Sequence, residues 1–205
     1  MEPATVAMNG SLRIIAGTWR SRRLLRPETG RTRPMPDRVK AAIFSMLGSH
    51  YDVPGRLPAV CVADVFAGSG SMGLEALSRG ADCCWFFERD RDAVAVLRKN
   101  CESLGAVDRC RVVVGDAWLL AGAPPPDGPF DLVLLDPPYR DSADSTEPGT
   151  VRRFLSRLAE TAGNGRVVAL HHPAHVRYTL PSDGAWRTLK ARTFGTNGIT
   201  LLARS

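Results

Sequence analysis

The chain of 205 residues is 44% hydrophobic and 23% charged, with a formal net charge of +6. These proportions are typical of a globular protein with its own core, so a fibrous or fully disordered chain is excluded. It has no apolar run of the roughly 18 residues that a membrane span needs, and no apolar stretch follows a basic start as in a secretion signal. We therefore expect a cytoplasmic protein without a membrane partner, in which residues 1–11 form a disordered tail.

The five cysteines are odd in number, and no two of them form a C-x-x-C pair. Their apolar surroundings favour reduced, buried thiols over disulfides or a metal site. His171 and His172 end a predicted strand, but no third ligand accompanies them in the sequence. We therefore expect no bound metal.

The positive charge is concentrated at the start of the chain. Residues 1–56 contain ten Lys or Arg and four Asp or Glu, which leaves the rest of the chain without net charge. Phosphate contacts dominate nucleic-acid affinity, so a basic extension on a neutral body indicates a polyanionic partner, although a solvated basic face has the same composition. We assign residues 12–56 to a basic extension that binds this partner and residues 57–205 to the main domain.

Within the extension, the sequence predicts a hairpin followed by a helix. Residues 12–16 and 22–25 are short strand-like runs, and the segment between them carries Trp19, which we expect to be exposed. An isolated hairpin is marginal, so it should lean on the main domain or on a partner. Apolar residues spaced three and four apart predict a helix from Asp37 to Gly48, with Gly48 as its C-cap.

In the main domain, strand-like and helix-like segments alternate, which is the pattern of an α/β protein with a parallel sheet and crossover helices. We expect strands near 60–66, 82–88, 110–115, 130–136 and 165–171, and helices near 72–79, 90–104 and 149–162, with a short helix after Asp116. Asn197-Gly198 is a hairpin signal between two further strand-like runs, so the last two strands should be antiparallel.

The first predicted strand runs into a glycine-rich turn and then into a helix. Gly68, Gly70 and Gly73 lack the side chains that would keep a ligand away from the backbone. The helix directs its first N–H groups and the positive end of its dipole back at the turn. This combination predicts a nucleotide-sized binding site at the end of the strand.

Residues at the ends of the predicted strands bear on which nucleotide this site would bind. The glycine pattern with Glu88, twenty residues after Gly68, satisfies the dinucleotide fingerprint and favours an NAD-type oxidoreductase. Asp64 inside the first strand argues against a pyrophosphate, which its carboxylate would repel, and suits a cationic amino group. Asp116 closes the third strand, where its carboxylate can accept a hydrogen bond from an adenine amino group.

A further motif, Asp136-Pro137-Pro138-Tyr139, closes the fourth predicted strand. The Asp136 carboxylate and the Pro137 carbonyl can each accept a hydrogen bond from an exocyclic amine, while the prolines stiffen the corner and add no competing donor. Tyr139 offers a flat face on which an extruded base can stack. Such a corner activates a weakly nucleophilic amine mainly by positioning it, which can contribute about 7–11 kcal/mol in favourable cases.

In order and spacing, the glycine turn, Glu88, Asp116 and the Asp136–Tyr139 motif resemble the Rossmann-like S-adenosylmethionine-dependent methyltransferases. Arg13-Ile14-Ile15-Ala16-Gly17-Thr18-Trp19-Arg20 and Arg33-Pro34-Met35-Pro36-Asp37-Arg38-Val39 are similar to signatures of the bacterial 16S ribosomal RNA (guanine-N2)-methyltransferases. This resemblance covers residues 12–203. Met35-Pro36 depart from the threonine and small polar residue usual there, so a hydroxyl contact at that point is not carried over.

The resemblance implies a mostly parallel seven-stranded sheet ending in an antiparallel hairpin, and S-adenosyl-L-methionine as cofactor. It also implies methyl transfer to the N2 amine of a specific guanine in 16S ribosomal RNA, within an assembling 30S subunit, by a monomer. Cofactor contacts are expected from Asp64, Phe66, Gly68, Gly70, Gly73, Glu88, Arg89, Asp116 and Ala117. Contacts with the RNA are expected from Arg13, Trp19, Arg20, Arg22, Arg23, Arg33, Asp37 and Arg38, and catalysis from Asp136, Pro137, Pro138 and Tyr139.

Several alternatives stay open from the sequence. N6-adenine methylation of DNA or RNA would use the same motif, because the Asp136 corner serves either amine. Protein glutamine methylation is less favoured, because such enzymes typically carry Asn in place of Asp136. An NAD-type dinucleotide-dependent oxidoreductase would also need the glycine turn, and an RNA-binding module could retain it without activity.

Overall fold

One sheet organises the part of the chain that the computed structural model describes, which is residues 12–27, 35–120, 130–142, 149–161, 165–176, 180 and 184–205. The predicted tail, residues 1–11, and Arg33 lie outside the described residues. The strands are Cys61–Val65 (β1), Cys83–Glu88 (β2), Cys110–Val114 (β3), Leu132–Leu135 (β4), Val167–Pro173 (β5), Trp186–Phe194 (β6) and Asn197–Arg204 (β7). The helices are Asp37–His50 (α1), Ser71–Ser78 (α2), Arg91–Ser103 (α3), Ala117–Leu120 (α4), Tyr139–Ser142 (α5) and Thr150–Thr161 (α6). None of these described helices combines the length and apolar character that a membrane span requires.

The strand order across the sheet is β3-β2-β1-β4-β5-β7-β6. Strands β1 to β5 pair in parallel, whereas β7 runs antiparallel to both of its neighbours. The predicted α/β class, the mostly parallel seven-stranded sheet and the antiparallel end hairpin are therefore confirmed. The order reverses between β1 and β4, and open α/β sheets bind ligands at such a switch point, beyond the carboxyl ends of the strands.

The inner strands are apolar because helices cover both faces of the sheet. Alternate residues of a strand point to opposite faces, so Val62 and Leu134 belong to one apolar cluster while Val65 and Leu135 belong to another. Asp64 shares the face of Val62. This alternation directs its carboxylate toward α2 rather than toward α6.

The N-terminal hairpin is smaller than expected and leans on the main domain. The two predicted strands reduce to a single antiparallel bridge between Arg13 and Arg23. Leu12, Ile14 and Leu24 are buried in the same apolar cluster as the Val62 face of the sheet. A hairpin with so few ladder bonds therefore takes its stability from packing on the domain.

A buried carboxylate in α2 fastens the hairpin to the domain. Glu75 is fully buried and accepts hydrogen bonds from the backbone N–H groups of Ile15, at 2.8 Å, and Ala16, at 3.0 Å. Its charge is balanced by the Arg79 guanidinium at 2.7 Å and the buried Lys40 ammonium at 3.4 Å. A buried charge is tolerated only with partners of this kind, so the hairpin has a fixed position along α2.

The prediction that Gly48 is the C-cap of α1 is wrong. Gly48 lies inside the helix, which continues to His50, and Tyr51 follows as the C-cap. A Cβ at Gly48 would lie 2.9 Å from the backbone nitrogen of Gly55 and from the carbonyl oxygen of Val53. The glycine is therefore explained by the close approach of the returning chain and not by a left-handed cap.

The turn between β6 and β7 also differs from the prediction in its register. The hairpin is present, but its turn residues are Gly195 and Thr196, and Asn197 is the first residue of β7, opposite Phe194. Gly195 has φ of +61°, which a tight hairpin turn needs. Asn197 is thus a strand residue whose side chain is available to β5.

Candidate functional site

Four carboxylates lie at the carboxyl ends of four neighbouring parallel strands. Asp64 is the penultimate residue of β1, Glu88 ends β2, and Asp116 and Asp136 follow β3 and β4. The sequence predicted Glu88, Asp116 and Asp136 at strand ends and Asp64 inside the first strand. Because the strands are parallel and adjacent, the structure brings the four groups to one edge of the sheet, on both sides of the switch point.

The side chain of Asp64 is almost fully buried and faces the start of α2. Its exposed fraction is 2%, and its Oδ2 accepts a hydrogen bond of 2.8 Å from the N–H of Gly73. Burial raises the pKa of Asp64 to about 8, the charges of Asp136 and Glu88 add to the rise, and the Gly73 hydrogen bond opposes it. A cation that entered this edge of the sheet would favour the ionised form.

The three positions Gly68, Gly70 and Gly73 each require a glycine for a different structural reason. Gly68 has φ of +56°, and no atom lies within 4 Å of a Cβ built on it, so it borders open space. A Cβ at Gly70 would lie 2.3 Å from the Leu97 side chain, and one at Gly73 would lie 2.4 Å from the Phe86 ring. Gly68 therefore borders open space, whereas Gly70 and Gly73 permit close packing of the turn, and the predicted cofactor contacts of all three stay predictions.

Glu88 ties the end of β2 to the glycine turn. Its Oε2 accepts from the N–H of Gly68 at 2.8 Å, and its Oε1 accepts from the N–H groups of Arg89, at 2.8 Å, and Asp90, at 2.9 Å. The Arg89 side chain is exposed. These three bonds leave about one acceptor site of the carboxylate, on Oε2, which can accept a hydrogen bond from a ribose hydroxyl.

An aromatic pair lies beside the turn. Phe66 has φ of +67°, a strained conformation for a residue with a Cβ, and its ring meets that of Trp118 edge to face at 4.7 Å. Asp116 is exposed, and its Oδ1 accepts from the N–H of Trp118 at 3.0 Å. Ala117 is buried against the second apolar cluster. Trp118, two residues after Asp116, therefore forms a wall of this edge together with Phe66.

The Asp136–Tyr139 corner is partly open to solvent, although Pro137 within it is buried. The Asp136 side chain is 37% exposed, and Tyr139 is 70% exposed. The carbonyl of Pro138 accepts from the N–H groups of Asp141 and Ser142, at 2.9 Å each, which begins the short helix α5. This helix was not expected from the sequence, because two consecutive prolines read as a turn. It fixes Tyr139 at its first residue.

His171 was missed as a site residue. Its Nδ1 lies 2.7 Å from Asp136 Oδ1, and its Nε2 lies 2.9 Å from Asn197 Oδ1. The sequence places His171 at the end of a predicted strand, but its closeness to Asp136 follows only from the pairing of that strand with β4. Within the described ranges, no cluster of three or more potential metal ligands forms around His171 or elsewhere.

Part of the predicted RNA-binding group lies near the start of α2. The Arg13 guanidinium pairs with Asp37 at 3.1 Å, and the buried Lys40 ammonium joins the Arg13 carbonyl to Ser71, the first residue of α2. Arg38 is exposed, and a Cβ built at Gly195 would lie 3.5 Å from its guanidinium. These side chains therefore border the edge that carries the carboxylates.

The rest of that group lies elsewhere. The N–H of Trp19 donates to Ser78 at 3.0 Å, at the far end of α2, and its half-buried ring lies 5.7 Å from the Arg109 guanidinium. The expected exposure of Trp19 is therefore wrong, because this ring packs against the core. Arg20 and Arg22 follow it on the hairpin tip, and the Arg22 guanidinium donates to the Ser103 carbonyl. The structure does not bring Trp19 and Arg20 to the mouth of the site.

Related sequences match just under two thirds of the chain. Over 131 residues it is 40% identical to ribosomal RNA small subunit methyltransferase D of Haemophilus influenzae, an alignment that covers 63% of this chain and 65% of that protein. Over 132 residues it is 39% identical to the protein of the same name from Escherichia coli, with 64% of this chain and 62% of that one covered. The matched region spans just under two thirds of the length of these relatives.

Solved structures match over nearly the whole chain. The protein yhhF of Escherichia coli, provisionally named a methyltransferase, superposes with a TM-score of 0.74 at 28% identity, covering 96% of this chain and 99% of that one. The family model described as conserved hypothetical protein 95 matches residues 12–203. The chain therefore belongs to the conserved hypothetical protein 95 family, whose relatives named above are ribosomal RNA methyltransferases, as the resemblance in its sequence predicted.

Proposed function

We propose that this chain transfers a methyl group from S-adenosyl-L-methionine to the N2 amine of a guanine in 16S ribosomal RNA. Family membership and the names of its relatives support the ribosomal RNA substrate and the methyl donor. The observation that carries the proposal is the partly open Asp136–Tyr139 corner, which stands directly across the switch point from the glycine turn. The choice of guanine N2 is supported by the two arginine-containing motifs at the front of the chain.

The residues at the glycine turn fit the proposed donor. Gly68 borders open space, Glu88 offers a fixed carboxylate for a ribose, and Phe66 with Trp118 forms an apolar wall suited to a purine. Asp64 provides the acidic group that a methionine ammonium would need. When bound, S-adenosylmethionine supplies an electrophilic methyl group on a positively charged sulfur, and a pocket lined by carboxylates favours that charge over a pyrophosphate.

The corner after β4 fits the acceptor. Asp136 Oδ1 is engaged by His171, so Oδ2 is the oxygen that would accept an N–H from the guanine amine. The Pro137 carbonyl is the second acceptor that we assign, since the Pro138 carbonyl is already used by α5. Tyr139 would stack on the extruded base. These contacts aim the nitrogen lone pair at the methyl group and hold the amine in line for transfer.

The basic extension fits a polyanionic substrate. Arg13, Arg23 and Arg38 are exposed, and Arg23 pairs with Arg13 in the antiparallel bridge of the extension. We assign them to phosphate contacts that bring the RNA to the corner, with the assembling 30S subunit as the physiological form and the protein acting as a monomer. Arg20 and Arg22, on the hairpin tip, would reach a more distant part of the same substrate.

The test uses S-adenosylmethionine carrying a labelled methyl group, with 16S ribosomal RNA and 30S subunits that lack the modification. We expect label in N2-methylguanosine after digestion to nucleosides. The Asp136→Ala variant should bind the donor with nearly unchanged affinity and transfer no label. Label in adenine, in protein or in no product would contradict the proposal, and binding of a reduced dinucleotide would favour the oxidoreductase instead.

A further inference from the structure

The His171 ring lies between the proposed catalytic carboxylate and the terminal hairpin. It belongs to β5, whose neighbours in the sheet are β4 on one side and β7 on the other. The Nδ1 atom lies 2.7 Å from Asp136 Oδ1, and the Nε2 atom lies 2.9 Å from Asn197 Oδ1. The side chain is 18% exposed. Both ring nitrogens are therefore occupied by protein partners.

The orientation of the Asn197 amide determines how many protons the ring carries. The amide nitrogen donates to the Phe194 carbonyl at 3.3 Å, so the amide oxygen faces His171. The reverse orientation would set two oxygens against each other at Phe194. An amide oxygen and a carboxylate oxygen both accept hydrogen bonds and donate none, so a proton lies between the ring and each of them. The proton shared with Asp136 resides mainly on the imidazole, which is the stronger base.

The electrostatic surroundings act in the same direction. Burial alone would lower the pKa of His171, but the hydrogen bond and charge of Asp136, together with the bond to Asn197, raise it above its usual value. The titratable and charged groups on the elements around the ring come from both sides of β5. Asp136 follows β4, His172 lies in β5 itself, and Arg38 lies beside the β6–β7 turn. The short helix α5, which packs on β5, adds Tyr139, Arg140 and Asp141. Of these titratable and charged groups, Asp136 accepts a hydrogen bond from the ring.

We propose that His171 is a positioning residue, held as an imidazolium between Asp136 and Asn197, which fixes the Asp136 carboxylate with Oδ2 directed at the substrate amine. This inference rests on the proposed function. No residue in the described ranges donates a hydrogen bond to Asp136 Oδ2, so that oxygen is left for the substrate. Asn197 carries the effect into the terminal hairpin, which explains why a strand distant in sequence contributes to this corner.

Paired variants test the positioning role. His171→Ala should lower kcat by about 10–100-fold, because a misplaced catalytic group costs that much, while the donor dissociation constant stays within about twofold of wild type. His171→Gln keeps an N–H for Asp136 but not the charge, and should recover part of the loss. The control is His175→Gln, an exposed histidine in the turn after β5, which should behave as wild type. Equal kcat values for wild type and His171→Ala would overturn the proposal.

A second readout does not depend on activity. Nitrogen-15 chemical shifts of the four histidine rings, assigned through single variants, report the protonation state of each ring. We expect His171 to show two protonated nitrogens at neutral pH in the wild type, and to titrate at lower pH in Asp136→Asn. A neutral His171 ring at neutral pH would overturn the proposal even if the enzyme is active. If the wild type methylates no RNA, the proposed function fails, whereas the ring titration still decides whether His171 is an imidazolium.

Discussion

At the scale of single residues, the buried carboxyl of Asp64 predicts how stability depends on pH. Its pKa is raised from 3.8 to about 8 in the folded protein. Between these values the folded state keeps a proton that the unfolded chain has lost, so the free energy of unfolding falls as pH rises through this window and levels off above it. Asp64→Asn keeps an oxygen for the Gly73 N–H but cannot ionise.

We therefore expect Asp64→Asn to gain stability relative to wild type as pH rises from about 5 to about 8. Each unit of pKa difference corresponds to about 1.4 kcal/mol, so the relative gain should be at least that large. Urea unfolding of both proteins at the two pH values measures it. Parallel pH dependence in the two proteins would contradict the burial of an uncharged Asp64.

Tyr139 is the second residue with a direct test. Its ring is 70% exposed, so the side chain has little structural role to lose. Tyr139→Phe keeps the stacking face and should retain most of kcat/KM, whereas Tyr139→Ala should lose roughly 1–3 kcal/mol of transition-state stabilisation. Thermal unfolding should show both variants to be as stable as wild type. A large loss in Tyr139→Phe would instead assign the function to the hydroxyl.

The position of a residue could be predicted from the sequence where the residue lies at or near the end of a predicted strand. Asp64, Glu88 and Asp136 were placed correctly because parallel neighbouring strands end at one edge. His171 was not recognised, because its role depends on β5 lying beside β4 and on Asn197 arriving from β7. Pairings between elements distant in sequence are set by the sheet order, which no local pattern contains.

At the scale of elements, substitutions in the glycine turn and in α2 should separate an effect on donor binding from an effect on packing. Gly68→Ala adds a side chain that faces open space, so it should weaken donor binding severalfold and cost about 1 kcal/mol through its left-handed backbone. Gly73→Ala forces a Cβ to within 2.4 Å of the Phe86 ring, so its main effect should be on stability. We expect about 1–3 kcal/mol from overpacking.

The control for backbone strain at Gly68 is Gly105→Ala. Gly105 also has a positive φ, +64°, and open space around a built Cβ, but it follows α3 rather than the glycine turn. Calorimetric titration with S-adenosylmethionine and urea unfolding of the three variants separate the two effects. Equal donor affinities in Gly68→Ala and Gly105→Ala would remove the Gly68 turn from the proposed donor site.

The elements themselves were predicted well where the pattern is long and local. Helix α3 begins after Asp90, whose side chain accepts from the N–H groups of Asp92 and Ala93, as its sequence indicates. The predicted end of α1 and the predicted β6–β7 turn each lie two residues away from the observed positions. The reason is that Gly48 and Gly198 have the sequence signal of turn glycines. Each is instead a point of close contact, with the 53–55 segment and with the His172 ring. Contacts of this kind are tertiary and leave the same sequence signal as a turn.

At the scale of the whole molecule, the asymmetric charge predicts a salt-dependent interaction with RNA. Replacing Arg13, Arg23 and Arg38 with Glu should weaken binding to 16S ribosomal RNA and flatten the dependence of log affinity on log salt, because fewer counterions are released. The matched control replaces Arg91, Arg98 and Arg111 with Glu. These three arginines are also exposed but belong to the main domain. Filter binding at several salt concentrations gives both slopes.

Equal effects of the two triple variants would mean that net charge alone, and not the extension, holds the RNA. The sequence identified the basic extension from composition. It did not show that Trp19 packs inward and that the hairpin runs along α2, because that arrangement depends on the Glu75 contacts with Ile15 and Ala16.

The account as a whole depends on donor and base meeting at the switch point between β1 and β4. The most direct measurement is a crystal structure of the protein with S-adenosylmethionine bound. We expect the adenosine beside Phe66 and Glu88, with the methyl group directed at the Asp136–Tyr139 corner. A donor whose methyl group points away from Asp136, or a pyrophosphate-containing ligand in its place, would contradict the account.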